Sequence, residues 1–115
     1  MHPRLQSFIH AFRGIRFGFA GINFKIQATI GLLAIGLSVA TKISGLEFLS
    51  VILCIIIVLA AELFNTAAEK LCDHLHPEKH PNIGKVKDLA AGAVLLLSIG
   101  SAIVGLYIFI PAFCK

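Results

Sequence analysis

Three stretches of the chain carry no charged side chain: residues 26–41, 48–61 and 89–114. A helix needs about 20 predominantly apolar residues to cross the hydrocarbon of a bilayer. The third stretch meets that requirement alone. The first meets it if Lys25 and Lys42 extend their ammonium groups to the two interfaces, and the second only if its helix runs on through the polar residues that follow. The pattern predicts three membrane spans, over about 24–43, 47–72 and 85–111. Ahead of them Leu5, Phe8, Ile9, Phe12, Ile15 and Phe19 recur at three- and four-residue spacing, with His10 and Arg13 turned away. This predicts an amphipathic surface helix over about 3–20, lying in the membrane interface. The expected fold is an all-α membrane protein, one domain over residues 1–115.

Composition agrees with that pattern. With 57% hydrophobic and 14% charged residues and a mean hydropathy of +0.90, the chain is too apolar for a soluble domain of 115 residues. Its basic residues are unevenly placed. Arg4, Arg13, Arg16 and Lys25 precede the first span, Lys70, Lys79, Lys85 and Lys87 surround the link between the second and third, and Lys42 and Lys115 fall on the opposite side. The positive-inside rule then puts the N-terminus and the second loop in the cytoplasm, with the first loop and the C-terminus outside. The net charge of +4 is a topology signal and predicts no nucleic-acid partner.

The second loop, "HLHPEKHPNIGK", is expected to be a turn throughout because it holds Pro77, Pro81 and Gly84. Its His74, His76 and His80 lack a carboxylate or Cys framework at ligand spacing and read as solvated residues. Cys54, Cys72 and Cys114 have no paired spacing and read as buried apolar fillers. Ala90, Ala91, Gly92 and Ala93, followed by Gly100 and Gly105, offer a small-residue surface for close helix packing.

The candidate chemistry lies in "AELFNTAAEKLCD". At about 100° per residue, offsets of three, seven and eleven from Glu62 bring Asn65, Glu69 and Asp73 within about 60° of it, forming one polar stripe. Glu62 falls roughly 10 Å inside the hydrocarbon and Glu69 about 10 Å further along, at the water boundary. One acid can meet the head of a lipid and the other a solvated metal–nucleotide. Arg16, close to the middle of the surface helix's apolar face, either snorkels to lipid phosphate or holds a substrate phosphate. Glu62 and Asn65 are equally compatible with a structural role, hydrogen-bonding neighbouring helices, and an intramembrane acid also suits a proton path. No Walker A pattern and no G-x-G-x-x-G after a strand occurs, so phosphoryl transfer by this chain must be done by membrane helices.

"ELFNTAAEKLCD", the short His-Pro-containing loop and "KVKDLAAGAVLL" strongly resemble the bacterial diacylglycerol kinase family of small membrane lipid kinases, which includes undecaprenol kinases. The pattern E-x-x-N-[ST]-x-x-E followed by K-D-x-x-x-x-A-V matches at Glu62, Asn65, Thr66, Glu69, Lys87, Asp88, Ala93 and Val94. "FRGIRFGF" and "NFKIQ" extend the resemblance over nearly the whole chain. It implies a homotrimer in the bacterial inner membrane, with active sites between subunits that take a lipid alcohol from the bilayer and MgATP from the cytoplasm. By matched position, Glu62 is the catalytic base, Asn65 helps hold the site, Glu69 contributes to Mg binding, and Lys87 with Asp88 contacts ATP. The loop and "KDLAAGAVLL" look more like the undecaprenol-kinase branch. One departure stands out: the family's second metal-binding Glu, just before "NF[KR]", is replaced here by Ala20, Gly21 and Ile22, and no acid precedes Glu47. This leaves a rival reading, a catalytically degenerate member acting as a membrane subunit.

Overall fold

The computed structural model describes residues 3–114, in four helices: α1 (Pro3–Gly18), α2 (Ile22–Ala40), α3 (Gly45–Leu75) and α4 (Pro81–Phe113). Lys115, counted above in the charge asymmetry, lies outside the described residues. α2, α3 and α4 are each long and apolar enough to cross a membrane, so this is an integral membrane protein with a short helix ahead of three spans. α3 is the central element, packed most extensively on α4, then on α2, then on α1. Its buried side chains, Val51, Val58, Glu62, Asn65 and Cys72, follow a largely seven-residue recurrence, one continuous seam along the helix. Glu62 and Asn65 are buried because they lie on that seam.

At 1.5 Å per residue the 31-residue α3 and 33-residue α4 are about 46 and 50 Å long, well beyond a hydrocarbon thickness of about 30 Å. The C-terminal turns of α3 and the N-terminal turns of α4, which carry most of the charged residues of these two helices, form one helical hairpin. Few apolar side chains are buried within the chain, while all four helices present large apolar side chains outward, a surface that lipid or further copies of the chain must cover.

Backbone capping sets the element ends. α2 closes in a Schellman motif: the Ile43 N–H donates to the Ser38 carbonyl, the Lys42 N–H to that of Val39, and Lys42 takes the left-handed conformation (φ 52°). α3 opens on a capping box, the Ser44 hydroxyl accepting from the Glu47 N–H at 3.2 Å and the Glu47 carboxylate from the Ser44 N–H at 3.0 Å. Between α1 and α2, the N–H groups of Phe19, Ala20 and Gly21 each donate three residues back, so the surface helix stops at Gly18 instead of Ala20. Gly18 lets α1 approach α3 so closely that a Cβ there would overlap the Leu63 side chain.

Other expectations are corrected. The second loop is shorter than its Pro and Gly content suggested: Pro81 is the first residue of α4 and Gly84 is helical. Proline at a helix start loses no hydrogen bond, and here the His80 ring caps the turn, Nδ1 accepting from the Asn82 N–H at 3.1 Å. His76 Nδ1 lies 2.8 Å from the Glu78 carbonyl, and its ring meets that of His80 edge-on at 5.0 Å, so two of the three histidines order the loop. Cys114 is exposed at the end of α4, not buried. Among the described residues, a Cβ added at Gly92, Gly100 or Gly105 would meet nothing within 4 Å, so the small-residue surface of α4 is not used for close approach inside one chain. The close helix approach comes instead at Gly18 and at Gly31, where a Cβ would lie 2.9 Å from Ile55.

Candidate active site

Glu62 and Asn65, 5% and 8% exposed, face a cleft of about 310 Å³. Its other polar walls are Asn23 and Gln27 of α2 and Ser98 of α4, with Ala91, Val94 and Leu95 completing the α4 side. Asn23 and Gln27 are one turn apart on one face of α2, and Ala91, Val94 and Ser98 share one face of α4, so three helices converge on the carboxyl group. The Asn65 side chain spans two environments. Its Nδ2 donates to Glu69 Oε1 at 3.0 Å, while its Oδ1 is buried without a hydrogen-bond partner. A buried unpaired acceptor in an otherwise apolar setting is costly, and such groups mark places where a ligand or water completes the pairing.

Glu69 is exposed, two turns from Glu62 on the same face of α3. Beyond it Asp73 accepts a hydrogen bond from the half-buried Lys87, which ties the first turns of α4 to the last turns of α3. Asp88 points elsewhere: it is exposed and lines a separate cleft with Lys85, Leu89, Gly92, Ala93 and Leu96. Arg16 is exposed on the last turn of α1. One chain thus assembles Glu62, Asn65 and Glu69, with Lys87 adjoining through Asp73, and does not bring Asp88 into the Glu62 cleft.

Glu69 is an exposed carboxylate of the kind hard divalent cations take as one oxygen ligand, while Glu62, two turns and about 10 Å away, is too far to share an ion with it. The buried Glu62 carboxylate, open to a cleft within a membrane helix, can accept a proton from an alcohol. The model of the family described as "Prokaryotic diacylglycerol kinase" matches residues 9–109. The chain belongs to this family. It is therefore a member of a family of ATP-dependent membrane lipid kinases. It is 35% identical to an undecaprenol kinase of Bacillus subtilis over 107 residues, covering 92% of this chain and 87% of that protein. It is 33% identical to a diacylglycerol kinase of Synechocystis sp. over 109 residues, covering 93% of this chain and 62% of that one. Two relatives with different acceptors stand at nearly equal identity, so the match to the kinase family does not select the lipid.

Asn23, Gln27 and Ser98 are members of the cleft that periodicity does not single out. Their signal in the sequence is that each is a polar residue in, or at the start of, a predicted span, where uncompensated polar groups are rare and usually face a cavity.

Proposed function

We propose that the protein transfers the γ-phosphoryl group of ATP to the hydroxyl of a membrane lipid alcohol, undecaprenol or diacylglycerol. The observation that carries this reading is a buried Glu62 that opens into a three-helix cleft, with Asn65 linking it to the exposed Glu69. The lipid hydroxyl oxygen attacks the γ-phosphorus, the bond from that phosphorus to the β–γ bridging oxygen breaks, ADP departs, and the hydroxyl proton passes to Glu62. Asn65 holds Glu69 toward the water-facing end of the stripe, and Glu69 is the carboxylate that would hold Mg²⁺ there, the rest of its shell coming from phosphate oxygens and water. When bound, that ion neutralises charge on the phosphates, the main electrostatic demand in phosphoryl transfer. Lys87, Asp88 and Arg16 are assigned to the nucleotide.

Because Asp88 and Glu62 face different clefts, a site that uses both takes Asp88 from a neighbouring copy. This supports a homotrimer with active sites between subunits. The large outward apolar surface on all four helices supports it too. The basic ends of the spans support a bacterial inner-membrane orientation with the N-terminus and the α3–α4 loop cytoplasmic and the C-terminus outside. ATP and the stripe then share one side.

The absence of any acid before Glu47 favours a second reading, a degenerate subunit without activity. Purified protein assayed for lipid phosphate with MgATP, alongside Gly21→Glu and Ile22→Glu, separates the two. Gly21 has φ −84°, and a Cβ there meets the Gly18 carbonyl at an ordinary 3.5 Å, so the backbone accepts the new side chain. An active enzyme whose Mg²⁺ requirement falls in one variant supports the kinase reading with a reduced metal shell. Activity that appears only on restoring the acid supports the degenerate reading.

A further inference from the structure

Beyond the Glu62 cleft, toward the membrane interior, α2, α3 and α4 enclose an apolar groove of about 370 Å³ lined by residues such as Ile30, Ala34, Val51, Ile55, Val58 and Phe109. The groove and the cleft share two residues, Gln27 and Ser98. Gln27 is one turn past Asn23 along α2, and Ser98 one turn past Val94 along α4. Val58 in the groove is one turn from Glu62 on the interior side. The shared pair therefore forms a polar neck about one helical turn, roughly 5 Å, deeper than the carboxyl group.

Among the described residues, the Ser98 hydroxyl is set apart from the other Ser and Thr hydroxyls by being buried without a hydrogen-bond partner. Ser7, Thr29, Ser38, Thr41 and Ser50 each donate to the carbonyl four residues back, the ordinary way a hydroxyl is satisfied in a helix. The Ser98 Oγ is buried and has no such partner. A hydroxyl and a primary amide thus face the mouth of a groove whose deeper walls are apolar except for the Ser101 hydroxyl and the Cys54 thiol. Both are hydrogen-bond donors, and both lie on the side from which a lipid enters.

The two acceptor classes differ at this depth. A polyprenol bears one hydroxyl, followed by hydrocarbon alone, so with its hydroxyl at Glu62 it leaves Gln27 and Ser98 facing isoprene. An acylglycerol carries ester carbonyls a few bonds from its free hydroxyl, pure acceptors at the depth of two donors. We propose that Gln27 and Ser98 hold an ester carbonyl of the acceptor, making them specificity-determining residues that favour an acylglycerol over a polyprenol. This rests on the kinase reading above and adds the acceptor class, against the resemblance of the loop to the undecaprenol-kinase branch.

The test uses the purified full chain in mixed micelles with MgATP. It compares kcat/KM for a 1,2-diacylglycerol, the ether-linked dialkylglycerol of equal chain length, and undecaprenol. A site that pairs a buried donor with a substrate acceptor discriminates against the analogue lacking it, here by about tenfold or more. The expected ester-to-ether ratio is therefore about ten in the unmodified protein. It falls to about one in Ser98→Ala and in Gln27→Leu, and is retained in Ser98→Thr, which keeps the hydroxyl. A packing defect lowers both lipids together and leaves the ratio unmoved. An unmodified protein that treats ester and ether alike, or variants that keep the ratio, overturns the carbonyl assignment and leaves the kinase reading standing. Absence of lipid phosphate from all three acceptors overturns both.

Discussion

Asn65 turns its amide group toward Glu69 and its carbonyl toward the cleft, so one side chain couples the buried and exposed ends of the stripe. Replacing it by Leu keeps the volume and removes both interactions. Groups that orient metal and substrate ligands typically contribute about 10- to 100-fold, so lipid phosphorylation by Asn65→Leu should fall by that range, with a higher Mg²⁺ requirement. Steady-state assays across Mg²⁺ concentrations check this, and a loss of turnover at unchanged Mg²⁺ dependence would assign Asn65 to the lipid side alone. The stripe Glu62, Asn65, Glu69 was legible from the sequence because helical periodicity puts those residues on one face whatever surrounds them. Gln27 and Ser98 were not singled out. Their role depends on which faces of α2 and α4 turn toward α3, and α4 is so uniformly apolar that its pattern selects no face.

Among the elements, the α2–α3 connection carries two adjacent features of opposite sign. Lys42 holds a left-handed conformation that glycine adopts without penalty, so Lys42→Gly should raise the stability of this corner by about 1 kcal/mol. Ser44→Ala removes one half of the capping box and should lower stability by about 1 kcal/mol. Unfolding midpoints in detergent should move in opposite directions. A shift of the same sign in both would mean that the connection is not closed by these motifs. The capping box at Ser44 and Glu47, spaced S-x-x-E, was not singled out in the sequence, where the span was bounded by its charge-free length. Pro81 and Gly84 read as breakers and so predict a longer α3–α4 loop than the structure has, because a proline at the first helical position starts a helix as readily as it ends one.

For the molecule in its membrane, three spans followed once Lys25 and Lys42 were allowed to reach the interfaces and the second helix to run on through the polar stripe, since hydrocarbon thickness is a fixed external ruler. Orientation is a separate matter, carried by the basic residues. A cysteine placed at Asn82 should react with an impermeant reagent only from the cytoplasmic side, and one at Gly45, just past the capping serine, only from outside, with the three native cysteines replaced. The reverse pattern would separate the stripe from cytoplasmic ATP. How copies of the chain meet was least legible, because the outward faces are apolar all round and lipid and protein contacts ask the same of them. The central claim is that Glu62 takes the proton of a lipid alcohol during phosphoryl transfer from ATP. Glu62→Gln preserves shape and hydrogen-bonding capacity and removes the base. The most direct measurement is the rate of ATP-dependent lipid phosphate formation by the Gln variant and the unmodified protein, at equal amounts of assembled protein with matching helical content. The account predicts turnover in the unmodified protein and a loss of at least about 100-fold in the variant, the scale of general base catalysis. Near-equal turnover in the two would contradict it.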